Sequence, residues 1–315
     1  MKKNKLISAA LVAGAAVGSI YAINRTISFL ANSKATLANA NGLRYEWRFG
    51  NIFYTKQGEG KPILLIHDLT CGSSDLEWKS IVNAYAKKHT VYTIDLLGCG
   101  RSDKPSLTYT NYMYVQLVTD FIKNIIGHRT DVIATGASAA MVLMACYNDD
   151  TLFDKIMLIN PVHFEAGSSN KRETKLAKFI FEMPILGTLI YNISNTRQSY
   201  RELFRDKYFY NPYTVRASLI KHYYDAAHFG TSTSKYLYAS INANYTGINT
   251  SRALKDINNS IYILAGEYEE NMKETVADYQ ELNPSIEIAT IKDAKHLPQL
   301  ENPTEVLNAM SIFFN

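Results

Sequence analysis

The sequence predicts an α/β fold, in which helices flank a mostly parallel sheet. Short apolar runs alternate with helical patterns between residues 63 and 160. These runs are continuous rather than alternating, which is typical of strands buried on both faces. The alternation stops at residue 163 and resumes at residue 261, so a helical insertion is expected there. Strands that alternate with helices form right-handed βαβ units and therefore a parallel sheet.

The elements follow in a regular order along the chain. An antiparallel hairpin comes first, with strands at 43–48 and 52–56 around the turn residues Gly50 and Asn51. The later strands are predicted at 63–67, 91–97, 132–135, 156–160, 261–265 and 286–291. Helices are predicted at 76–87, 112–126, 139–148 and 304–314.

Composition excludes several classes of protein. Of the 315 residues, 47% are hydrophobic and 20% are charged, which is globular rather than disordered composition. A net charge of +4 without basic clusters gives no indication of nucleic-acid binding. Cys71, Cys99 and Cys146 do not have metal-ligand spacing. No metal site is therefore predicted, and the oligomeric state stays open.

Residues 1–25 differ from the rest. Three lysines occupy the first five positions, and residues 6–23 carry no charge. A helix of that length spans roughly 27 Å, close to the thickness of a thin bilayer. We expect a membrane anchor that holds the globular domain outside the cytoplasm. A cleaved signal peptide and a peripheral helix remain alternatives. Residues 26–42 are predicted to be a linker.

A candidate nucleophile lies between the strand at 132–135 and the next helix. Gly136-Ala137-Ser138-Ala139-Ala140 matches the nucleophile elbow G-x-S-x-G with Ala in the last position. Small residues are needed there because strand and helix approach closely around a strained turn. A serine in an ordinary turn of small residues would give the same pattern.

A base and an acid follow the serine in chain order. His296 comes after the last predicted strand, so it lies at the carboxyl edge of the sheet, where α/β folds bind ligands. Glu269 and Glu270 follow the strand at 261–265 and lie at the same edge. The order Ser, acid, His is one in which triads occur.

Together these segments resemble the α/β-hydrolase superfamily, in the branch with a cap. The resemblance covers about residues 43–315. It is carried by the hairpin at 45–58, the strand at 63–67 with its following loop, the loop at 95–105, the elbow, and the histidine loop at 296–303.

The resemblance implies an eight-stranded sheet with a helical cap between strands 6 and 7. Core residues 43–162 and 251–315 would then flank a cap at 163–250. Ser138 would be the nucleophile, His296 the base and Glu269 the acid, with Glu270 as the alternative. The N–H groups of Leu69 and Ala139 would form the oxyanion hole.

The implied function is a serine hydrolase that cleaves an ester or related acyl substrate through an acyl-enzyme, and this mechanism needs no cofactor. The expected partners are that small molecule and a membrane. The alternative is a degenerate, membrane-tethered binding or scaffold protein.

The sequence departs from the family pattern at four positions. Asp68 stands where glycine usually follows the histidine of the oxyanion loop, and its charge would oppose an oxyanion. The elbow ends in Ala140, the acid is Glu rather than Asp, and Lys295 precedes the histidine. Epoxide or haloalkane chemistry needs a carboxylate at the elbow. Because position 138 is serine, the sequence disfavours both.

Overall fold

A computed structural model describes residues 2–33, 37, 41–165, 171–230 and 232–314. Its centre is one eight-stranded sheet in the order β1-β2-β4-β3-β5-β6-β7-β8. The hairpin strands β1 and β2 are antiparallel to each other, and β2 is antiparallel to β4. All other neighbours are parallel. The prediction of a mostly parallel, eight-stranded sheet is confirmed. The strands are β1 (Leu43–Trp47), β2 (Gly50–Gln57), β3 (Lys61–Ile66), β4 (His89–Ile94), β5 (Thr130–Thr135), β6 (Phe153–Ile159), β7 (Ile261–Gly266) and β8 (Glu287–Ile291).

Helices cover both faces of the sheet. Apolar side chains from β3 and β5 are fully buried between them, as their continuous apolar runs predict. The helices are α1 (Lys2–Ser33), α2 (Lys79–Tyr85), α3 (Asn111–Phe121), α4 (Ser138–Asn148), α5 (Lys171–Glu182), α6 (Leu186–Ser194), α7 (Arg197–Leu203), α8 (Ala217–His228), α9 (Lys235–Asn242), α10 (Ser251–Asp256), α11 (Met272–Leu282), α12 (Pro298–Glu301) and α13 (Pro303–Phe314). A 3₁₀ turn at Asp75–Trp78 precedes α2, so the helix predicted at 76–87 is split in two.

Helices α5 to α10 separate β6 from β7, and we call α5 to α9 the cap. They pack through aromatic side chains. The ring centroid of Tyr223 lies 4.8 Å from that of Phe204 and 5.8 Å from that of Tyr200. All three side chains are buried. Many of the cap aromatics therefore form the small core that a helical subdomain needs.

The N-terminal helix is longer than the sequence predicts. It continues to Ser33, so the predicted linker at 26–42 begins inside the helix, and most of its remainder lies outside the described residues. Asn24 is buried against the cap, where it donates to the carbonyl of Ile185 and accepts from Asn192. This contact ties α1 to the cap through α6. Within the described part of the chain, no single helix has the length and hydropathy to cross a membrane. Taken together, the bent pair Thr174–Glu182 and Leu186–Ser194 has both.

Candidate active site

The turn between β5 and α4 contains the predicted elbow. Its left-handed residue is Gly136, with φ of +57°. Ala137 is right-handed, with φ of −65°, and Ser138 is already the first residue of α4. The nucleophile of such an elbow occupies the strained position between strand and helix. In this chain that position belongs to Gly136, which has no side chain.

Ser138 lies two residues beyond the strained position. Its side chain is fully buried, and its Oγ donates to the carbonyl oxygen of His67 at 2.6 Å. His296 instead directs its Nε2 to Asp68. The structure therefore does not bring Ser138 and His296 together, and the hydrogen bond that a serine nucleophile needs is not formed.

The carboxylate of Asp68 fills the space beside Gly136. A Cβ atom added to Gly136 would overlap Asp68 Oδ1. This oxygen accepts the N–H of Leu69 at 2.7 Å and the N–H of Ala137 at 2.9 Å. The predicted donor Ala139 is engaged elsewhere, because its N–H donates to the carbonyl of Gly136 at 3.2 Å. A two-donor site of the oxyanion type thus exists, formed by Leu69 and Ala137, and it holds a carboxylate oxygen.

His296 lies between two carboxylates. Its Nδ1 is 2.9 Å from Glu269 Oε1, and its Nε2 is 3.2 Å from Asp68 Oδ2. The structure thus brings together Glu269 and His296, which the sequence singled out as acid and base. Glu270 is mostly exposed, with one oxygen 3.7 Å from Lys295 Nζ, and does not contact His296.

This arrangement favours the charged form of both Asp68 and His296. Burial alone would lower the pKa of His296, but hydrogen bonds and charge from Asp68 and Glu269 raise it to about 10. Burial alone would raise the pKa of Asp68. The hydrogen bond from His296, its positive charge and the two backbone N–H groups outweigh burial, so the pKa of Asp68 lies below its usual value. The resting site is an imidazolium between two carboxylates.

His67 fixes the loop that carries Asp68. Its Nδ1 lies 2.6 Å from the carbonyl oxygen of Asp68, and its Nε2 accepts the N–H of Leu96 at 3.0 Å. These partners assign the proton to Nδ1. Burial lowers the pKa of His67, in agreement with a neutral ring that serves structure.

Glu77 is a functional candidate that sequence reasoning missed. It is fully buried, and its two oxygens accept from the N–H of Asp68 at 3.0 Å and from the hydroxyl of Tyr223 at 2.9 Å. Burial, followed by the charge of Asp68, raises its pKa to about 7. The sequence does offer one indication of this role. Glu77 directly precedes Trp78 at the start of the helix predicted at 76–87, which is expected to pack against the sheet.

The cap covers the site through Tyr208. Its ring stacks on the imidazole of His296, with centroids 4.7 Å apart and planes 22° apart. The carbonyl of Tyr208 also accepts the N–H of His296 at 3.1 Å. Some access remains, because the side chains of His296 and Asp68 keep 15% and 9% of their surface exposed. Within the described ranges, no group of three or more potential ligands is arranged to hold a metal ion.

Comparison with known proteins agrees with this fold. The model of the alpha/beta hydrolase family matches residues 63–309, so the chain belongs to that family. A 2-hydroxy-6-oxo-6-(2'-aminophenyl)hexa-2,4-dienoic acid hydrolase of Metapseudomonas resinovorans is 34% identical over 71 residues, which are 22% of this chain and 24% of the relative. A soluble epoxide hydrolase of Corynebacterium sp. (strain C12) is 25% identical over 120 residues, covering 38% of this chain and 41% of the relative.

The chain therefore spans less than half the length of these two relatives. Among solved structures, a membrane phospholipase A described as a bacterial virulence factor superposes with a TM-score of 0.71 at 18% identity. That superposition covers 99% of this chain and 98% of the other. At this identity the likeness shows the fold alone.

Proposed function

We propose that this protein is a hydrolase that attacks its substrate with the carboxylate of Asp68 rather than with a serine hydroxyl. The observation that carries the proposal is the position of this carboxylate. It occupies the space beside Gly136, where an elbow nucleophile would project, with Oδ1 on two backbone N–H groups and Oδ2 on His296. A carboxylate is thus delivered to the elbow from a neighbouring loop.

In the first step, Asp68 Oδ2 attacks a ring carbon of an epoxide. The ring C–O bond breaks, and its electron pair goes to the epoxide oxygen. The imidazolium of His296 gives its Nε2 proton to that oxygen. The products are an ester between Asp68 and a hydroxyalkyl group, and a neutral imidazole. An epoxide suits this resting site because ring opening requires a proton, and His296 holds one at neutral pH.

In the second step, His296 takes a proton from water, and the hydroxide attacks the ester carbonyl carbon. The charge develops on Oδ1, which the N–H groups of Leu69 and Ala137 already hold. Collapse breaks the ester C–O bond, and His296 protonates the departing diol. The proton left on the Asp68 carboxyl then returns to His296. Glu269 orients the ring and stabilises its cationic form throughout.

The geometry does not favour the serine acyl-enzyme mechanism. That mechanism begins with a neutral histidine that is hydrogen-bonded to the serine. His296 is instead hydrogen-bonded to Asp68, and its pKa is raised. The similarity to an epoxide hydrolase over 120 residues supports epoxide substrates.

The experiment is a turnover assay with styrene oxide and with p-nitrophenyl esters. We expect the diol from the wild type, loss of activity in Asp68→Asn, and unchanged activity in Ser138→Ala. Ester turnover that Ser138→Ala abolishes would favour the serine mechanism. If a folded wild type turns over neither class, the degenerate binding or scaffold protein becomes the better assignment.

We further propose that α1 attaches the protein to a membrane, with the globular domain on the extracytoplasmic side. A helix of 32 residues is about 48 Å long, and its side chains Leu11, Val17 and Phe29 are largely exposed. Between Val17 and Phe29, Asn24 fixes the helix to the cap. The cap also exposes the apolar side chains of Leu176 and Phe179.

Fractionation tests the attachment. Deleting residues 2–20 keeps the Asn24 contact and should move the protein from the membrane to the soluble fraction. Retention of this variant in the membrane fraction would show that α1 is not the anchor. Protease protection of the full-length protein in closed vesicles tests the side.

A further inference from the structure

Helix α7 and the π-helical turn Phe204–Tyr208 that follows it carry one buried and one exposed row of side chains. Tyr200, Phe204 and Tyr208 recur at four-residue spacing and are buried, and Tyr208 stacks on His296. Arg197, Arg201 and Arg205 recur at the same spacing and are all exposed. Residues four apart lie on one face of a helix. The arginines therefore form an exposed row along this segment, beside the buried row that includes Tyr208.

This row borders a cleft between α7 and α8. Its volume is about 660 Å³, within the range of small-molecule sites. The apolar wall of the cleft includes Pro212, Val215 and the largely buried Ile220, and Tyr213 stands at the cleft with 96% of its surface exposed. An aromatic side chain this exposed has little contact with its own chain and offers a surface to a ligand.

Two of the arginines lack an acidic partner. Arg205 is paired with Asp206 through two hydrogen bonds of 2.6 and 2.8 Å. By contrast, Arg201 donates to the neutral amide oxygen of Gln198, and Arg197 lies over the ring of Tyr224 at 5.0 Å. No carboxylate of the described residues forms an ion pair with Arg197 or Arg201. Lys221, also at the cleft, is paired with Asp225.

We propose that this cleft binds a single-chain anionic amphiphile, whose head group pairs with Arg197 and Arg201 and whose alkyl chain lies against the apolar wall. Guanidinium groups bind carboxylate and phosphate with paired hydrogen bonds. A small inorganic anion would leave the wall of Val215 and Ile220 uncovered, and a neutral lipid would leave the arginines without a partner. The proposal is independent of the chemistry at Asp68.

A bound amphiphile would join the two cap helices that cover the active site. Its head group would contact α7, and its chain would contact Ile220 of α8. On their inner sides, these helices meet through Tyr200 and Tyr223.

Calorimetric titration with decanoate tests the proposal on the full-length protein in phosphatidylcholine nanodiscs, where no detergent competes. Decanoate should bind the wild type, and Arg197→Gln/Arg201→Gln should weaken binding by about 100-fold or more, since charged hydrogen bonds are lost at two residues. Arg252→Gln is the matched control, because Arg252 is an exposed helical arginine outside the cleft. It should bind like the wild type.

Three ligands separate head from tail. Acetate, inorganic phosphate and decanol should each bind at least about 10-fold more weakly than decanoate, because each lacks one of the two contacts. Equal binding of inorganic phosphate and decanoate would reduce the cleft to a plain anion site and overturn the proposal. Undiminished binding of decanoate to the folded double-arginine variant would also overturn it.

Discussion

Exchanging two residues should convert this site into one with a serine nucleophile. In Asp68→Gly/Gly136→Ser, the carboxylate is removed and a hydroxyl is placed at the left-handed residue of the elbow. The N–H groups of Leu69 and Ala137 then become free to hold an oxyanion. His296 keeps Glu269 and loses the second carboxylate, so its pKa falls and it can act as a base.

The structure sets the energetic cost of each change. Serine at a φ of +57° costs about 1–2 kcal/mol relative to glycine. Gly136→Ser alone also forces the new Cβ atom against Asp68 Oδ1. Such overpacking destabilises the fold by a further amount of about 1–3 kcal/mol. In the double variant the second term is relieved. We therefore expect Gly136→Ser to unfold at lower urea concentration than Asp68→Gly/Gly136→Ser.

The assay is labelling with a fluorophosphonate probe, followed by peptide mapping. The double variant should be labelled at the introduced serine, and a further His296→Ala should abolish the label. Asp68→Gly alone is the control without a new nucleophile, and it should stay unlabelled. A folded double variant without label would refute the assignment of Gly136 as the nucleophile position, as would wild-type labelling at Ser138.

Three other outcomes follow from the same contacts. The pKa of Glu77 is about 7 in the folded protein, compared with 4.5 for an ordinary glutamate. Between these two pH values, Glu77 therefore carries a proton in the folded protein and has lost it in the unfolded protein. Wild-type stability should therefore fall by roughly 3 kcal/mol between pH 4.5 and 8 relative to Glu77→Gln, and parallel urea curves for the two proteins would contradict this. The imidazole of His296 should titrate near pH 10 by ¹⁵N NMR and at lower pH in Asp68→Asn, whereas a wild-type midpoint near 6.5 would contradict the two-carboxylate site. Glu269→Gln should lower turnover far more than Glu270→Gln, because only Glu269 contacts His296, and equal losses would remove Glu269 from its role.

The sheet was predictable because a strand buried on both faces requires a continuous run of apolar residues, which is visible in the sequence. The apolar run before His67 and the small residues around Gly136 identify buried parallel strands and a close strand–helix turn. Chain order then places Glu269 and His296 at one edge of the sheet. Both residues follow a strand of the same parallel sheet, so their meeting required no knowledge of side-chain conformation.

The nucleophile position was not predictable from the pattern alone. An elbow has a small residue two positions before and two positions after its nucleophile. Two overlapping segments fit this pattern: 134–138, which is centred on Gly136, and 136–140, which is centred on Ser138. Strand pairing decides between them. From Val132 to Thr135, β5 pairs in register with β6, and the N–H of Gly136 donates to the carbonyl of Ile159. The turn therefore begins at Gly136. Pairing depends on the neighbouring strand and leaves no local signature.

The role of Asp68 was hidden for a related reason. The sequence shows that a charge stands near the oxyanion loop, but its effect depends on the direction of the side chain. Because residue 136 is glycine, the carboxylate can occupy the elbow and take both N–H donors. Asp68 and Gly136 thus complement each other in space, although 68 positions separate them in the chain.

The central claim is that Asp68 forms a covalent ester, and isotope transfer tests it most directly. Enzyme in excess over styrene oxide is allowed one turnover in H₂¹⁸O, and the peptide that contains Asp68 is then analysed by mass spectrometry. If Asp68 is the nucleophile, its carboxylate gains ¹⁸O and the diol of that turnover carries none. If the label appears only in the diol, water attacks the substrate directly, and the carboxylate mechanism is contradicted.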